Sequence, residues 1–319
     1  KYKPFIFLTF FVFYGLISYL YADNQVEVFV KFFRWINILI GLLIISSLLY
    51  LLEKRFLIVS IIFTIVLLIE LYFPYDTYFQ LISLTDYNIQ FGNLLKGAAG
   101  NKNISAASIL IKIPFVFYLM SEIKNKLVRS LLVLILVLSF YLIFLLSARA
   151  AILSTLFSLI AIVIFNIIRY FKTKKTKVFL NSVLYLILPI LFSIGLFQFQ
   201  YGLSDNDVSI TSRAASINTE DESTKQRIRF YEHSVDQIFN NPIIGVGLGN
   251  WKFKSIDYDK DNIQGFTVPY HVHNDFLEFG AELGLVGLFL YLAIFIYIVF
   301  FIIKSFSDKS IYMLSLIHI

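Results

Sequence analysis

The chain has 319 residues, of which 58% are hydrophobic, with a mean hydropathy of +0.77 and a formal net charge of +6. Apolar runs long enough to cross a bilayer recur along it, which excludes a soluble globular domain and implies an all-α, polytopic membrane protein. It holds no cysteine, which excludes a disulfide framework and a thiolate site.

In chain order the apolar runs predict spans at Phe5–Tyr21, Trp35–Leu52, Phe56–Phe73, Ile104–Met120, Ser130–Ser147, Ala150–Ile168, Val178–Phe199 and Phe276–Ile303, with another beginning near Ser310. Each is close to the ~20 residues that ~30 Å of hydrocarbon requires. The first run is too long, and has the wrong flanks, for a cleaved signal peptide. The chain starts at Lys1 without an initiator Met and stops inside the apolar segment Met313–Ile319, so both ends are expected to be fragment ends. The organisation expected is seven spans over residues 1–199, one large polar segment over 200–275, and C-terminal spans over 276–319.

Charge alternates with the loops. Lys1–Pro4, Glu53–Arg55, Ser121–Arg129, Arg169–Lys177 and Lys304–Lys309 together hold 14 Lys/Arg against 3 Asp/Glu, whereas the opposite set holds 12 against 17. The positive-inside rule makes the first set cytoplasmic. The polar segment Gln200–Asp275, the loop Asp76–Lys102 and the turn Ser147–Ala150 then fall outside. The basic balance is a topology signal and gives no support for nucleic-acid binding, because no aromatic-interleaved basic patch accompanies it. Arg149 interrupts the apolar stretch Ser130–Ile168, where a charge is costly unless it is paired or lines a wet cavity. A snorkelling arginine at a helix end is the plainer explanation.

Within the polar segment, Leu203–Glu222 is rich in Ser, Asp, Asn and Thr and reads as a mobile loop. Residues 223–239 read as an amphipathic helix, with Ile228, Tyr231, Val235, Ile238 and Phe239 at helical spacing and Asn240-Asn241-Pro242 as its stop. Arg227 and Arg229 lie in its first turns, where free N–H groups and guanidinium forks suit an anion; a solvated charged face is the alternative. Gly245-Val246-Gly247-Leu248-Gly249-Asn250 has glycine spacing that lets backbone amides approach a phosphate, but lacks the lysine and the strand–loop–helix setting of a nucleotide loop. A tight turn returning the chain to the membrane, with Trp251 as an interface anchor, explains it as well.

The run Pro269–Gly287 places His271, His273 and Asn274-Asp275 where a polar loop ends and a long apolar run begins. Asp275 is the expected helix cap, with Glu278 at capping-box spacing. His273 would stand just outside the positive end of that helix, which favours a neutral, basic imidazole. A histidine at the membrane surface beside an ordinary helix start would look the same. The His271, His273 and Asp275 spacing would also admit a loop metal site, but no cysteine or second histidine pair supports one.

Four stretches resemble the O-antigen ligase and O-antigen polymerase superfamily of bacterial envelope enzymes. His273-Asn274, nine residues, then Gly284-Leu285-Val286-Gly287 is similar to the family signature. Arg227, Tyr231 four residues on, then Asn241-Pro242-Ile243-Ile244-Gly245-Val246-Gly247-Leu248-Gly249-Asn250 resembles a second. Ser147-Ala148-Arg149-Ala150 is similar to the Ser-Arg segment, with Ala148 inserted between the two, and Gly100-Asn101-Lys102-Asn103 resembles a Gly-Asn-x-Asn segment. The resemblance runs from about Gly100 onward. It implies a GT-C-like bundle with one large extracytoplasmic loop, in the bacterial cytoplasmic membrane. The implied activity is inverting transfer of a glycan from undecaprenyl diphosphate to an acceptor hydroxyl, on lipid A-core in a ligase or on a second lipid-linked glycan in a polymerase. It implies no cofactor, metal or nucleotide sugar, and the lipid bilayer itself as a partner. Carried onto these residues, His273 is the base and Arg149, Arg227 and Arg229 hold the diphosphate. Asn274, Glu282, Tyr231 and Asn103 are supporting residues, Glu282 through pairing with an arginine.

A transporter or flippase of the same pathway would also place arginines in a membrane. Transporters show paired halves with broken helices at mid-membrane. Charges gathered beside one large loop favour an enzyme, and a passive scaffold gives no reason for two arginines and a capped histidine on one side.

Overall fold

The computed structural model describes residues 3–84, 91–174, 176–201, 222–263 and 269–304. The predicted loop Leu203–Glu222, save its last residue, and the run near Ser310 lie outside them. All regular structure among the described residues is helical: α1 Lys3–Ile17, α2 Gln25–Tyr50, α3 Arg55–Ile82, α4 Lys102–Glu122, α5 Lys126–Leu146, α6 Arg149–Thr173, α7 Thr176–Tyr201, α8 Glu222–Asn240, α9 Trp251–Asp259 and α10 Asp275–Lys304. Six stretches among them are long and apolar enough to cross a membrane, within α1 with its following turn, α2, α3, α4, α5 and α10. Helices α6 and α7 cover the predicted spans Ala150–Ile168 and Val178–Phe199. The chain is a multi-pass α-helical membrane protein.

The helices sort into two compact units. One is built from α3–α7. Its core is α5, whose residues from Ser139 to Leu146 are all buried, against α3, α4 and α7. That explains why α5 is apolar on every side: it has no lipid-facing stripe over this stretch. Helices α3 and α4 are also joined by charge. Lys112 Nζ lies 2.9 Å from Glu70 Oε2 and donates to Ser108 Oγ at 2.6 Å and Ser108 O at 3.0 Å. Ser108 Oγ in turn donates to Glu70 Oε1 at 3.0 Å. An ammonium in an apolar helix thus keeps full company, as burial requires. A second polar knot joins α3, α5 and α7: Tyr78 and Tyr201 share a hydroxyl hydrogen bond, Tyr141 donates to Gln200 Oε1, and Gln200 Nε2 donates to Tyr78 Oη at 3.0 Å.

The other unit combines the two ends of the described chain: α1, α2, α8, α9 and α10. Phe11, fully buried on α1, is its hub. The rings of Phe279, Trp35 and Tyr291 lie 4.9, 5.2 and 5.4 Å from it. Helix α2 begins ten residues before the predicted span at Trp35. Asn24 caps it, accepting the Glu27 N–H at 3.1 Å, and Glu27 pairs with Lys252 at 2.6 Å. The polar first turns of α2 are therefore occupied by contacts outside the span.

The predicted span Phe276–Ile303 is not one helix. Gly284 sits at φ 65°, ψ −168° and divides α10 into a nine-residue piece, 275–283, and a twenty-residue piece, 285–304. The pieces fold back on each other. Phe276 packs 5.5 Å from Phe295, and Phe279 packs 4.6 Å from Tyr291. In one straight helix Phe276 and Phe295 would be ~28 Å apart at ~1.5 Å per residue. The second piece alone is ~30 Å long and suffices for a span.

Candidate functional site

The break at Gly284 leaves helix ends that need hydrogen-bond partners. The glycine-rich loop supplies them. Val246 N–H donates to Ala281 O at 3.1 Å and Gly247 N–H to Glu282 O at 2.7 Å, while Leu285 N–H donates to Pro242 O at 2.7 Å. A Cβ on Gly284 would lie 2.3 Å from Ile243 O, and one on Gly245 would lie 2.4 Å from Glu282 C. Both glycines have φ 65°, a region closed to most side chains. The loop and the break are thus one interlocked joint. Its amides are occupied internally: besides Val246 and Gly247, Leu248 N–H donates to Ser18 Oγ at 2.9 Å. They do not form a phosphate cradle, and the tight-turn reading is the correct one.

The joint gives the spacing of the signature a physical meaning. The nine residues between Asn274 and Gly284 are the whole of the short helical piece. Its start carries His273-Asn274 and its end is the glycine corner. Gly287 completes the hairpin, since a Cβ there would lie 2.1 Å from Leu283 Cβ.

At the start of the short piece the cap is Asn274, one residue before the expected Asp275. Asn274 Oδ1 accepts the N–H of Phe276 at 3.1 Å and of Leu277 at 3.3 Å. That leaves Glu278 one position beyond the box. Its carboxylate reaches instead to the preceding loop, with Oε1 at 3.1 Å from His271 Nδ1 and Oε2 accepting the Val272 N–H at 3.0 Å. The displacement puts His273 itself at the corner, in the left-handed region at φ 62°.

Helix α8 meets that corner. Phe230 stacks on the His273 ring at 6.4 Å, and Tyr231 Oη approaches His273 O at 3.5 Å. Arg227, one turn earlier, is exposed and forms no ion pair among the described residues. Burial lowers the His273 pKa from its ordinary 6.5, and the charges of Arg227 and His271 lower it further, opposed by Glu278. The imidazole therefore favours its neutral form, beside an exposed guanidinium. Neither of its ring nitrogens has a hydrogen-bond partner among the described residues.

Arg229 differs from Arg227. Its Nε lies 2.7 Å from Asp259 Oδ1 and its Nη2 donates to Asp259 Oδ2 at 3.3 Å, which ties α8 to α9. Glu282 is almost fully buried, and its Oε1 accepts the Trp251 N–H at 3.4 Å. Backbone holds it where an arginine was expected. Trp251 is likewise buried, packed with Val272 and Ala281, and is no surface anchor.

The remaining residues belong to the other unit. Arg149 opens α6, half-buried, after Ser147 has ended α5 in the left-handed region at φ 50°. Asn101 caps α4 by accepting the Asn103 N–H at 2.8 Å, and the Asn103 side chain is exposed. Sequence reasoning missed Phe230 and Asp259 as partners, and it read Glu278 only as part of a cap. The seven-residue step from His271 to Glu278 was the visible clue, but it requires knowing that the loop doubles back.

A family model described as O-antigen ligase matches residues 134–292. A Rickettsia conorii protein whose name proposes a polysaccharide ligase is 31% identical over 78 residues, which is 23% of this chain and 18% of that relative. The match thus spans about a fifth of the relative's length. No solved structure matches the chain. Arg149, Arg227, Tyr231, His273 and the Gly284 corner all fall inside the family match, so residues 134–292 are similar to the O-antigen ligase family.

Proposed function

We propose that the protein transfers a glycan from undecaprenyl diphosphate to an acceptor hydroxyl at the extracytoplasmic face of the bacterial cytoplasmic membrane. The observation that carries this reading is the placement of His273 at the start of the short helix, stacked on Phe230 of α8, the helix that also carries exposed Arg227. His273 accepts the proton of the acceptor hydroxyl as its oxygen bonds to the anomeric carbon. The bond from that carbon to the diphosphate oxygen breaks, and its electron pair leaves with the lipid diphosphate. Attack opposite the leaving group inverts the anomeric centre. Arg227 stabilises the charge developing on the diphosphate. Arg149 is proposed as a further diphosphate ligand on its sequence alone.

Tyr231 and Asn274 hold the corner, Glu282 and Arg229 hold the joint and the α8–α9 pair, and Asn103 keeps a supporting role on its motif only. The acceptor is a lipid A-core sugar or a second lipid-linked glycan, the two sharing the same chemistry.

Purified protein given a lipid-diphosphate glycan and either acceptor should form product without ATP or an ion gradient. His273→Ala should abolish it, and Arg227→Lys should weaken donor use. Full activity in His273→Ala would remove the base assignment. Movement of the intact lipid across a bilayer without transfer would identify a transporter.

A further inference from the structure

The glycine-rich joint has an apolar outer edge that the site does not use. Phe239 is 77% exposed and Ile243 67%, and Ile244 is exposed beside them. Between Asp236 and Lys252 the sequence carries no charge. This edge lies against α1. Tyr14 Oη donates to Ile243 O at 3.1 Å and Tyr21 Oη donates to Ile244 O at 2.6 Å. Tyr14 is three residues before the end of α1, which continues through a turn at Ser18–Leu20. Helical side chains lean toward the N-terminus of their helix, so the tyrosine reaches deeper into the span. Ile243 O is thus held from within α1, six residues before Leu20, and Ile244 O from just beyond the turn. Phe10 and Ile17, on the Tyr14 face of α1, are exposed as lipid-facing residues are.

We propose that the Phe239–Ile244 loop is immersed in the acyl-chain boundary of the leaflet where α1 ends, with Phe239, Ile243 and Ile244 against lipid acyl chains. The carbonyls of the loop are consistent with a place at that boundary. Irregular backbone survives at such depth only when its polar groups are satisfied from within the protein. Pro242 has no N–H and its carbonyl accepts from Leu285, Ile243 and Ile244 have their carbonyls covered by tyrosine hydroxyls, and Gly245 N–H donates to Asn241 O at 3.1 Å. The Ile243 and Ile244 N–H groups have no partner among the described residues, which sets the loop at the acyl-chain boundary, within reach of headgroups, and not deeper.

The chain has no cysteine, so single sites can be labelled cleanly. Ile243→Cys, Ile244→Cys and Phe239→Cys would each carry an NBD fluorophore, with Asp257→Cys on α9 as the reference. The protein would be placed in phosphatidylcholine–phosphatidylglycerol vesicles with or without doxyl-labelled phosphatidylcholine. Doxyl quenching at two or more of the three loop sites should exceed that at residue 257 at least threefold, with aqueous iodide showing the opposite order. An excess below threefold at two of the three sites, or iodide quenching equal to the reference, would overturn the proposal. Reading three sites leaves the others to decide if one label disturbs the fold.

Discussion

The carboxylate of Glu278 reaches back seven residues to His271, with 3.1 Å between Oε1 and Nδ1, while its other oxygen accepts the Val272 N–H at 3.0 Å. One side chain from the short helix thereby fastens the two residues that precede the left-handed corner at His273. Glu278→Ala should lower kcat by about tenfold to a hundredfold, the range set by losing charge-assisted hydrogen bonds of ~1.5–3 kcal/mol. KM for the donor should change little, because Arg227 stays in place. Glu278→Gln, which keeps an acceptor for Val272, should recover part of the loss. Steady-state kinetics on the three forms checks this.

His273 should set the acid limb of the pH profile. Its pKa is held below 6.5, so the neutral form persists to lower pH than in a free imidazole, and turnover falls only as pH drops through that depressed value. Arg227→Gln removes one of the charges that depress it. The acid limb of kcat/KM should then move upward toward 6.5, apart from any change in donor affinity. An unmoved limb would mean that a different group titrates.

Gly284→Ala should unlock the joint. The position has φ 65° and ψ −168°, and the added carbon would meet Ile243 O at 2.3 Å. Backbone strain alone costs about 1–3 kcal/mol there. The variant should melt at lower temperature in detergent and lose activity together with it. Gly41→Ala should do neither, since a Cβ at Gly41 meets nothing within 4 Å.

Arg227 and Arg229 should separate by what they change. Arg229→Ala leaves Asp259, whose side chain is 4% exposed, without its cation, and should cost about 1.5–3 kcal/mol of stability. Activity per folded molecule should survive. Arg227→Ala should leave the melting temperature in place and raise KM for the lipid-linked donor.

Glu70 and Lys112 should show the reverse of additivity. Removing Glu70 strands the buried Lys112 ammonium, at a cost of up to about 3–5 kcal/mol, whereas Glu70 is 29% exposed and removing Lys112 should cost less. Glu70→Leu combined with Lys112→Met should cost far less than the sum of the single changes. Thermal unfolding of the four proteins of the cycle measures the difference.

How much of this was legible beforehand differs by residue. The spans were readable because hydrocarbon demands long apolar helices, and Phe5–Tyr21 or Ser130–Ser147 satisfy that demand locally. The break at Gly284 was not, because apolar residues flank it on both sides and periodicity continues across it. Its cause lies forty residues earlier, in the backbone of Pro242–Gly247. The same holds for the pairing of Arg229 with Asp259, thirty residues on, which no local pattern in the first turns of α8 announces. The cap fell on Asn274 and not Asp275 because both residue types cap well and local sequence cannot choose between neighbours. The nearness of Arg227 to His273 came only through family resemblance. No local pattern joins residues so far apart in the chain.

The reciprocal bonds between Asn24 and Asn250, Asn24 N–H to Oδ1 at 2.8 Å and Asn250 Nδ2 to Asn24 O at 3.2 Å, close a loop of 226 positions. During synthesis α1 and α2 must wait in the bilayer for that partner, a delay of roughly 10–50 s at ~5–20 residues per second. Over that interval Phe11 has only Trp35 of its four-ring cluster for company. A ribosome that stalls before α10 emerges would leave the α1–α2 hairpin half-built, and a natural target for membrane quality-control proteases.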